Sequence, residues 1–236
     1  KAGKMLEEVH NKLADFVKPG ISTLEIDQFG EKAIRDLGCV PNFLNYNGYP
    51  ASICVSVNDE VVHGIPSKDR ILQDGDIVSL DAGLIHEGYH SDAARTHAVG
   101  NISEEAKRLI EVTKQSFFEG IKLAVPGNHL FDISEAIQKY VESNGYSVVR
   151  DLVGHGIGTH LHEDPQIPNF KQRRKGMKLR PGMTLAIEPM VNEGSYDVVW
   201  LDDDWTVVTE DGSLAAHYEN TIVITEDGCE ILTLSE

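Results

Sequence analysis

Residues 72–81 read LQDGDIVSLD and residues 179–188 read LRPGMTLAIE, so each stretch has a glycine turn, an apolar run and a closing carboxylate. The second stretch follows the first by 107 positions (188 − 81). Two Pro-Gly pairs, at residues 19–20 and 126–127, repeat at the same offset, and each precedes a helical periodicity. A repeat with one constant offset predicts a duplicated chain whose two halves have the same fold.

Both halves have the same predicted order, two helices followed by strands. In the first half, Ser22 and Glu25 form a predicted capping box and Gly38 ends the helix, while Gly145 ends its counterpart in the second half. Runs of helices followed by runs of strands predict an α+β fold with helices packed on a largely antiparallel sheet. The other predicted helices are Met5–Val17 and Ser103–Leu123. The longer predicted strands are Ile53–Val57, Ile77–Gly83, His90–Ala98, Thr184–Val191, Val198–Trp200, Trp205–Thr209, His217–Thr225 and Glu230–Leu234.

Composition sets the broad class of the protein. No low-complexity linker separates the halves, so residues 1–236 are expected to form a single domain with halves of about 1–100 and 101–236. The apolar fraction of 41% and the charged fraction of 25% are typical of a soluble globular protein. No apolar run approaches the ~20 residues that span a bilayer. The net charge of −17 disfavours binding to DNA or to an anionic membrane, and three scattered cysteines fit a reduced cytoplasm.

The duplication places Asp81 and Glu188 at equivalent positions, each at the predicted end of an apolar strand. Two buried carboxylates that face each other repel unless a cation lies between them. Asp92 follows Asp81 across a predicted turn at Glu87-Gly88, and Glu219 begins another apolar strand. The alternative for each carboxylate is a strand end that faces water, but the equivalent positions favour a metal site.

One histidine completes this candidate ligand set. His155 lies in the glycine-rich stretch GHGIG, residues 154–158, where the backbone can come close to a bound group. Four carboxylates and one imidazole favour Fe(II), Mn or Co, and Zn less so. Because four carboxylates exceed the needs of one divalent ion, the set predicts two metal ions per chain.

The motifs around these residues resemble those of the methionine aminopeptidases, over nearly the whole chain. The motifs are NDEVVHGIP at 58–66, SLDAG at 79–83, HSDAAR at 90–95, GHGIG at 154–158, HEDPQ at 162–166, AIEPM at 186–190 and HYENT at 217–221. The resemblance implies the pita-bread fold, with two pseudo-symmetric halves in one catalytic domain. Only 31 residues separate Glu188 from Glu219 (219 − 188), which matches the short bacterial type I form.

The resemblance also implies roles for individual residues. The metal ligands would be Asp81, Asp92, His155, Glu188 and Glu219. The implied reaction removes the N-terminal methionine from nascent proteins and peptides whose second residue is small, through a metal-bridged hydroxide that attacks the scissile carbonyl. Glu188 would shuttle a proton to the leaving amine, His162 would bond the substrate carbonyl, and His63 would bond the adjacent backbone amide.

By the same resemblance, six side chains line the methionine pocket. They are Phe43, Tyr46, Tyr49, Cys54, Leu161 and Trp205. Core packing is the alternative for each. Phe43 and Leu161 depart from the cysteine and the aromatic residue that are commoner at these positions in the family, which concerns the shape of the pocket and not the ligands.

Several alternatives stay open at this stage. The first is an Xaa-Pro peptidase of the same fold, and the second is a noncatalytic member that binds peptides or ribosomes. A structural role is expected for His10, His86, His90, His97, His129 and His217, whereas His160 is undecided. The segment Lys171–Arg180 carries six basic residues on an acidic protein, which indicates either a solvated loop or transient contact with ribosomal RNA. A cytoplasmic monomer is expected.

Overall fold

The computed structural model describes residues 1–235; Glu236, the last residue of the predicted domain, lies outside them. The helices are α1 (Ala2–Phe16), α2 (Thr23–Asp36), α3 (Glu104–Ile121) and α4 (Leu130–Ser143), with a 3-10 turn at Tyr46–Gly48. The strands are β1 (Val40–Pro41), β2 (Ile53–Val57), β3 (Glu60–Val62), β4 (Ile77–His86), β5 (Tyr89–Ala98), β6 (Ser147–Val148), β7 (Gly154–Gly156), β8 (Glu163–Ile167), β9 (Thr184–Ile187), β10 (Met190–Asn192), β11 (Val198–Trp200), β12 (Val207–Thr209), β13 (Ala215–His217), β14 (Glu219–Ile224) and β15 (Cys229–Ile231).

The helices begin and end largely where the local sequence predicts. Ser22 and Glu25 form the capping box of α2, with Ser22 Oγ accepting from the Glu25 amide. Ser103 caps α3 in the same way, through the amide of Ala106. The αL conformation that follows a helix suits glycine because it lacks a Cβ atom, and Gly38 has φ of 73° after α2.

One curved sheet joins the two halves. Its strand order is β1-β4-β5-β14-β9-β7-β8, with β2 also paired to β4 and β15 paired to β14. Every pairing in it is antiparallel. The halves meet where β5 from the first half pairs with β14 from the second. The α+β fold predicted from the repeat, and the pita-bread architecture that the resemblance implied, are therefore confirmed.

Each half keeps its own apolar core on the helical side of the sheet. In the first half, α1 and α2 contribute Leu6, Leu13 and Ile26 to a cluster with strands β2 and β4. In the second half, α3 and α4 contribute Phe117 and Ile137 to a separate cluster with β9 and β14. Burial of these side chains, worth roughly 25 cal/mol per Å² of apolar surface, fixes the helices to one face. The other face of the sheet is left for the site.

Strand β4 is longer than predicted, so Asp81 does not end it. The strand runs to His86, and its hairpin partner β5 begins at Tyr89. The predicted turn at Glu87-Gly88 is confirmed, and both residues have positive φ, 50° and 83°, as a type I′ hairpin turn requires. Asp81 therefore lies in the middle of the strand.

Two long predicted strands are each divided in the structure. The segment Thr184–Val191 breaks at Glu188-Pro189, because proline has no amide hydrogen for the ladder. The segment His217–Thr225 breaks at Tyr218, whose amide donates to the carbonyl of Pro189 at 3.2 Å. Strand β10, after the first break, pairs with β13, before the second break, in another sheet. Both segments therefore leave the large sheet at the same place. Strands β1, β3, β6, β7 and β8 were not predicted.

No helix within residues 1–235 has the length and apolar character needed to cross a membrane.

Candidate metal centre and substrate cavity

The pairing of four strands brings the candidate ligands onto one face. Asp81 is opposite Ala94, and Ala94 is opposite Glu219, so these positions form one row across β4, β5 and β14. Side chains alternate between faces along a strand, so Asp92, two residues from Ala94, points the same way. The register between Asn220 and Ile187 places Glu188 opposite Glu219 in the same row.

His155 reaches the same face from β7. It is paired with Ala186, two residues from Glu188, and therefore points to the same side as that carboxylate. Its Nε2 lies 3.7 Å from Asp92 Oδ2 and 3.7 Å from Glu188 Oε1. Asp92, His155 and Glu219 each offer a ligand atom within 4.8 Å of the others. The structure thus brings together all five residues that the sequence singled out as ligands.

The carboxylates of this cluster are largely removed from water, and some of their oxygens have no hydrogen-bond partner among residues 1–235. Asp92 is 4% exposed and Glu219 is 1% exposed. Burial raises the pKa of Asp81 well above its usual range, and the neighbouring Asp92 and Glu188 charges add to the shift. Burial also raises the pKa of Asp92 to about 7. One oxygen each of Asp81, Asp92 and Glu219 has no hydrogen-bond partner among residues 1–235.

These observations fit divalent cations. Unpartnered buried oxygens are costly in a protein, and like charges in contact disfavour ionisation unless a cation is bound. The Nδ1 atom of His155 lies 2.8 Å from the carbonyl oxygen of Gly156, so Nδ1–H donates and the Nε2 lone pair faces the carboxylates. That is the tautomer of a metal-binding histidine. The donor set of carboxylates and imidazole can therefore hold divalent metal.

His217 was expected to be structural, but the structure places it against the cluster. Its Nε2 lies 3.7 Å from Glu188 Oε2 and 4.0 Å from Glu219 Oε2. The ring is 1% exposed, and burial lowers its pKa to about 3. In the sequence this position is marked only by lying two residues before Glu219, which does not predict the contact with Glu188.

A cavity of ≈ 300 Å³ opens beside the carboxylates. All six predicted pocket residues, Phe43, Tyr46, Tyr49, Cys54, Leu161 and Trp205, line it. The rings of Tyr49 and Trp205 meet edge to face, with centroids 5.1 Å apart. The Tyr49 hydroxyl donates to the carbonyl of Gly64 at 2.9 Å, which fixes that wall. Sequence reasoning missed further lining residues, which are Asn47, Val62, Asp151, Leu152, Val153 and Met190.

Two further histidines border the cavity between its wall and the carboxylates. The ring centroids of His155 and His162 are 4.3 Å apart, and His162 Nδ1 is 2.8 Å from the Tyr46 hydroxyl. His63 has φ of 58°, a strained conformation for a residue with a Cβ atom. Burial, with His162 nearby, lowers the pKa of His63 to about 4, so it is neutral at physiological pH. His160, which the sequence left undecided, does not line the cavity and is largely exposed.

Comparison with known proteins shows which protein family this chain belongs to. A model of metallopeptidase family M24 matches residues 1–226 of the chain. The methionine aminopeptidase of Clostridium acetobutylicum is 58% identical over 236 residues, which cover all of this chain and 94% of that protein. This chain belongs to metallopeptidase family M24.

Other M24 proteins support the same placement. Methionine aminopeptidase 1 of Bacillus subtilis is 55% identical over 233 residues, covering 99% of this chain and 94% of that protein. The crystal structure of methionine aminopeptidase from Thermotoga maritima superposes with a TM-score of 0.97 at 47% identity, covering 99% of this chain and 94% of that chain. Within family M24, the chain is therefore a member of the methionine aminopeptidases, and it is a metal-dependent enzyme, as the sequence resemblance implied.

Proposed function

We propose that this chain is a methionyl aminopeptidase that hydrolyses the N-terminal methionine from nascent proteins and peptides whose second residue is small. The observation that carries the proposal is an aromatic-walled cavity that adjoins a buried cluster of carboxylates and imidazoles. The methionine thioether packs well against aromatic rings, and Tyr46, Tyr49 and Trp205 supply them. The names of the M24 relatives point to the same substrate.

The proposed cofactor is a pair of divalent ions held by Asp81, Asp92, His155, Glu188 and Glu219. Fe(II), Mn or Co suits this oxygen-rich set better than Zn does. Asp92 and Glu219 come from the neighbouring strands β5 and β14 and would be shared by both ions, whereas Asp81 would serve one ion and His155 with Glu188 the other. Metal content measured anaerobically in protein from native cells, together with its activity, tests the identity and number of the ions.

The chain's own residues supply the proton transfers and the orientation of the substrate. Bound divalent ions provide Lewis acidity toward the scissile carbonyl and activate water. Glu188 would hold the proton released by that water and pass it to the leaving amine. The carboxylates also attract the cationic N-terminus of the substrate into the cavity.

His162 and His63 are proposed to orient the peptide. When the Tyr46 hydroxyl donates to His162 Nδ1, the ring proton is on Nε2, where it can donate to the substrate carbonyl and its developing negative charge. His63 also lines the cavity, and its ring centroid lies 6.4 Å from that of the Trp205 ring. Its neutral ring would bond the backbone amide next to the scissile bond.

Turnover of matched peptides tests the proposal. Metal-free protein reloaded anaerobically with Mn²⁺ should hydrolyse Met-Ala-Ser faster than Leu-Ala-Ser, Met-Trp-Ser or an Xaa-Pro dipeptide. Glu219→Gln keeps the size of the side chain and removes its charge, so it serves as the inactive control. Faster hydrolysis of the Xaa-Pro dipeptide would replace this assignment with an Xaa-Pro peptidase.

The same proposal includes contact with the ribosome through Lys171–Arg180. Arg173, Arg174 and Lys175 are exposed, whereas Lys171 pairs with Glu135 at 2.6 Å. The segment is fixed beside α4, because the Phe131 amide donates to the carbonyl of Lys175. Exposed cations that have no carboxylate partner among residues 1–235 suit phosphate groups near the exit of the nascent chain.

Charge reversal tests this contact. Replacing Arg173, Arg174 and Lys175 with Glu should weaken salt-sensitive cosedimentation with ribosomes. The matched control reverses Lys12, Lys107 and Lys122, which changes the net charge equally but elsewhere on the surface. Equal cosedimentation of both variants would remove ribosome binding from the proposal.

A monomeric, cytoplasmic protein with a single catalytic domain completes the proposal. Each half has a separate apolar core, but the candidate ligands come from both halves. Light scattering should give the mass of one chain at several protein concentrations, and the protein should unfold in a single transition.

A further inference from the structure

His217 is a buried imidazole that the proposed mechanism does not use. Neither its Nδ1 nor its Nε2 has a hydrogen-bond partner among the described residues 1–235. Its backbone is held on both sides, because the His217 amide donates to Thr96 Oγ1 at 2.9 Å and its carbonyl accepts from the same hydroxyl. The backbone is therefore fixed, and the ring Nε2 lies 3.7 Å from Glu188 Oε2.

Glu188 lies between two imidazoles, one for each of its oxygens. Oε1 is 3.7 Å from His155 Nε2, and Oε2 is 3.7 Å from His217 Nε2. The two rings differ in their other nitrogen. His155 Nδ1 bonds the Gly156 carbonyl, which leaves a lone pair on Nε2, whereas His217 Nδ1 has no acceptor.

This difference decides the tautomer of His217. If Nδ1 carried its proton, a buried donor would remain without an acceptor, at a cost of about 1–3 kcal/mol. With the proton on Nε2, a short movement of either side chain gives an N–H donor to a carboxylate, which is the stronger kind of hydrogen bond. His217 is thus arranged as a donor and His155 as a ligand.

We propose that His217 is a positioning residue that donates from Nε2 to Glu188 Oε2, leaving Oε1 for the metal ion shared with His155. The inference rests on the proposed function, because it assigns a second group to the same metal centre. Fixing one oxygen of Glu188 limits the carboxylate to one-oxygen coordination of metal. It also gives Oε2, the oxygen left to carry the proton, a constant position during turnover.

Calorimetric titration of metal-free protein with Mn²⁺ tests the assignment without using activity. His217→Leu removes the donor and should weaken binding of one ion about 10–100-fold, the usual effect of losing a group behind a ligand. His217→Gln restores an N–H donor and should bind within about 3-fold of the wild type. His97→Leu is the control. Like His217, His97 has a buried ring nitrogen without a hydrogen-bond partner among residues 1–235, but it lies on β5 and does not line the cavity.

Wild-type affinity in His217→Leu, or equal losses in the Leu and Gln variants at unchanged melting temperature, would overturn the proposal. Should His217→Leu fail to fold, nitrogen NMR of histidine-labelled wild-type protein loaded with Zn²⁺ decides the question. A protonated Nε2 on His217 supports the donor role, and a metal-bound Nε2 overturns it. Hydrolysis of Met-Ala-Ser by the wild type is a separate measurement, so failure of the proposed function would be recognised independently.

Discussion

Among single residues, Asp92 shows most clearly how burial couples metal binding to protons. Its pKa of about 7 in the metal-free protein reflects burial. In the unfolded chain the value is about 3.9. A raised native pKa contributes stability that is present below the unfolded value and is lost as pH rises through the folded value. Metal-free protein therefore loses this contribution progressively between about pH 4 and about pH 7, and at higher pH a bound metal displaces less of this proton.

We expect the rise in Tm caused by saturating Mn²⁺ to grow between about pH 6 and about pH 8, because fewer protons must be displaced from Asp92. Scanning calorimetry with Mn²⁺ and with a chelator, in the same buffers, gives this difference. Taking the difference at each pH removes the contributions of histidines outside the metal centre. A difference independent of pH would contradict the coupling.

Tyr46 is expected to act on catalysis through His162. Tyr46→Phe removes the hydroxyl 2.8 Å from Nδ1 and with it the preference for a proton on Nε2. We expect kcat for Met-Ala-Ser to fall about 10-fold with little change in KM, as when a group orienting a functional histidine is lost. The double variant with His162→Ala should be no slower than His162→Ala alone, and additive losses would show that Tyr46 acts independently.

At the scale of elements, α3 and α4 pack closely because α3 has a glycine at the contact. A Cβ atom on Gly120 would lie 2.6 Å from Ile137 Cγ1. Alanine in a helix is favoured over glycine by about 1 kcal/mol, but overpacking a core costs typically about 1–3 kcal/mol. The close approach therefore decides whether alanine at position 120 raises or lowers the free energy of unfolding.

Gly120→Ala should lower the free energy of unfolding in urea, despite the higher helix propensity of alanine. Removing the opposing side chain as well, in Gly120→Ala with Ile137→Ala, should cost less than the sum of the two single changes. Lys114→Ala, on the exposed side of α3, is the control for propensity alone. Strict additivity would place the strain elsewhere.

The sequence predicted those elements whose signals are local. Capping groups and glycines mark α2 and α3, and the Glu87-Gly88 turn defines the β4–β5 hairpin. Short strands such as β7, the three residues Gly154–Gly156, carry no alternation that could be read. The breaks at Glu188-Pro189 and at Tyr218 were also missed, and apolar residues continue on both sides of the first.

The candidate site was predictable to a similar extent. The repeat indicated Asp81 and Glu188, the chemistry of the neighbouring segments added Asp92, His155 and Glu219, and the motif resemblance supplied their individual roles. The approach of His217 to Glu188 could not be read from the sequence, since it depends on pairing between β10 and β13 in the second sheet. Contacts of this kind arise only when segments distant in sequence pair within the second half.

For the whole molecule, the important feature is how strongly the two halves are held together where β5 pairs with β14. The register between β5 and β14 contains two residue pairs, whereas that between β4 and β5 contains ten. Side chains strengthen the join, because Thr221 Oγ1 accepts from the Asp92 amide at 3.0 Å and Arg95 donates to Asn220 Oδ1 at 2.6 Å. The candidate metal ligands come from both halves, so bound metal would add a further link.

Removing metal with a chelator should therefore lower Tm and speed amide hydrogen exchange most strongly along the β5–β14 join. The β4–β5 hairpin, held by ten pairs within one half, is the internal reference. Ligand binding to the native state alone stabilises it by mass action, and the effect is greatest where the ligand joins separate parts. Uniform acceleration across both ladders would show that metal supports the fold as a whole.

The row of Asp81, Ala94 and Glu219 across three strands has a consequence for metal exchange. Neighbouring strands are ≈ 4.8 Å apart, so hydrogen bonding of the backbone, and not the ion, sets the spacing of the carboxylates. Ions of different radius are then accommodated by rotation of side chains on an unmoved sheet. Differences in rate among Fe(II), Mn and Co forms would accordingly report the chemistry of each ion at one constant geometry.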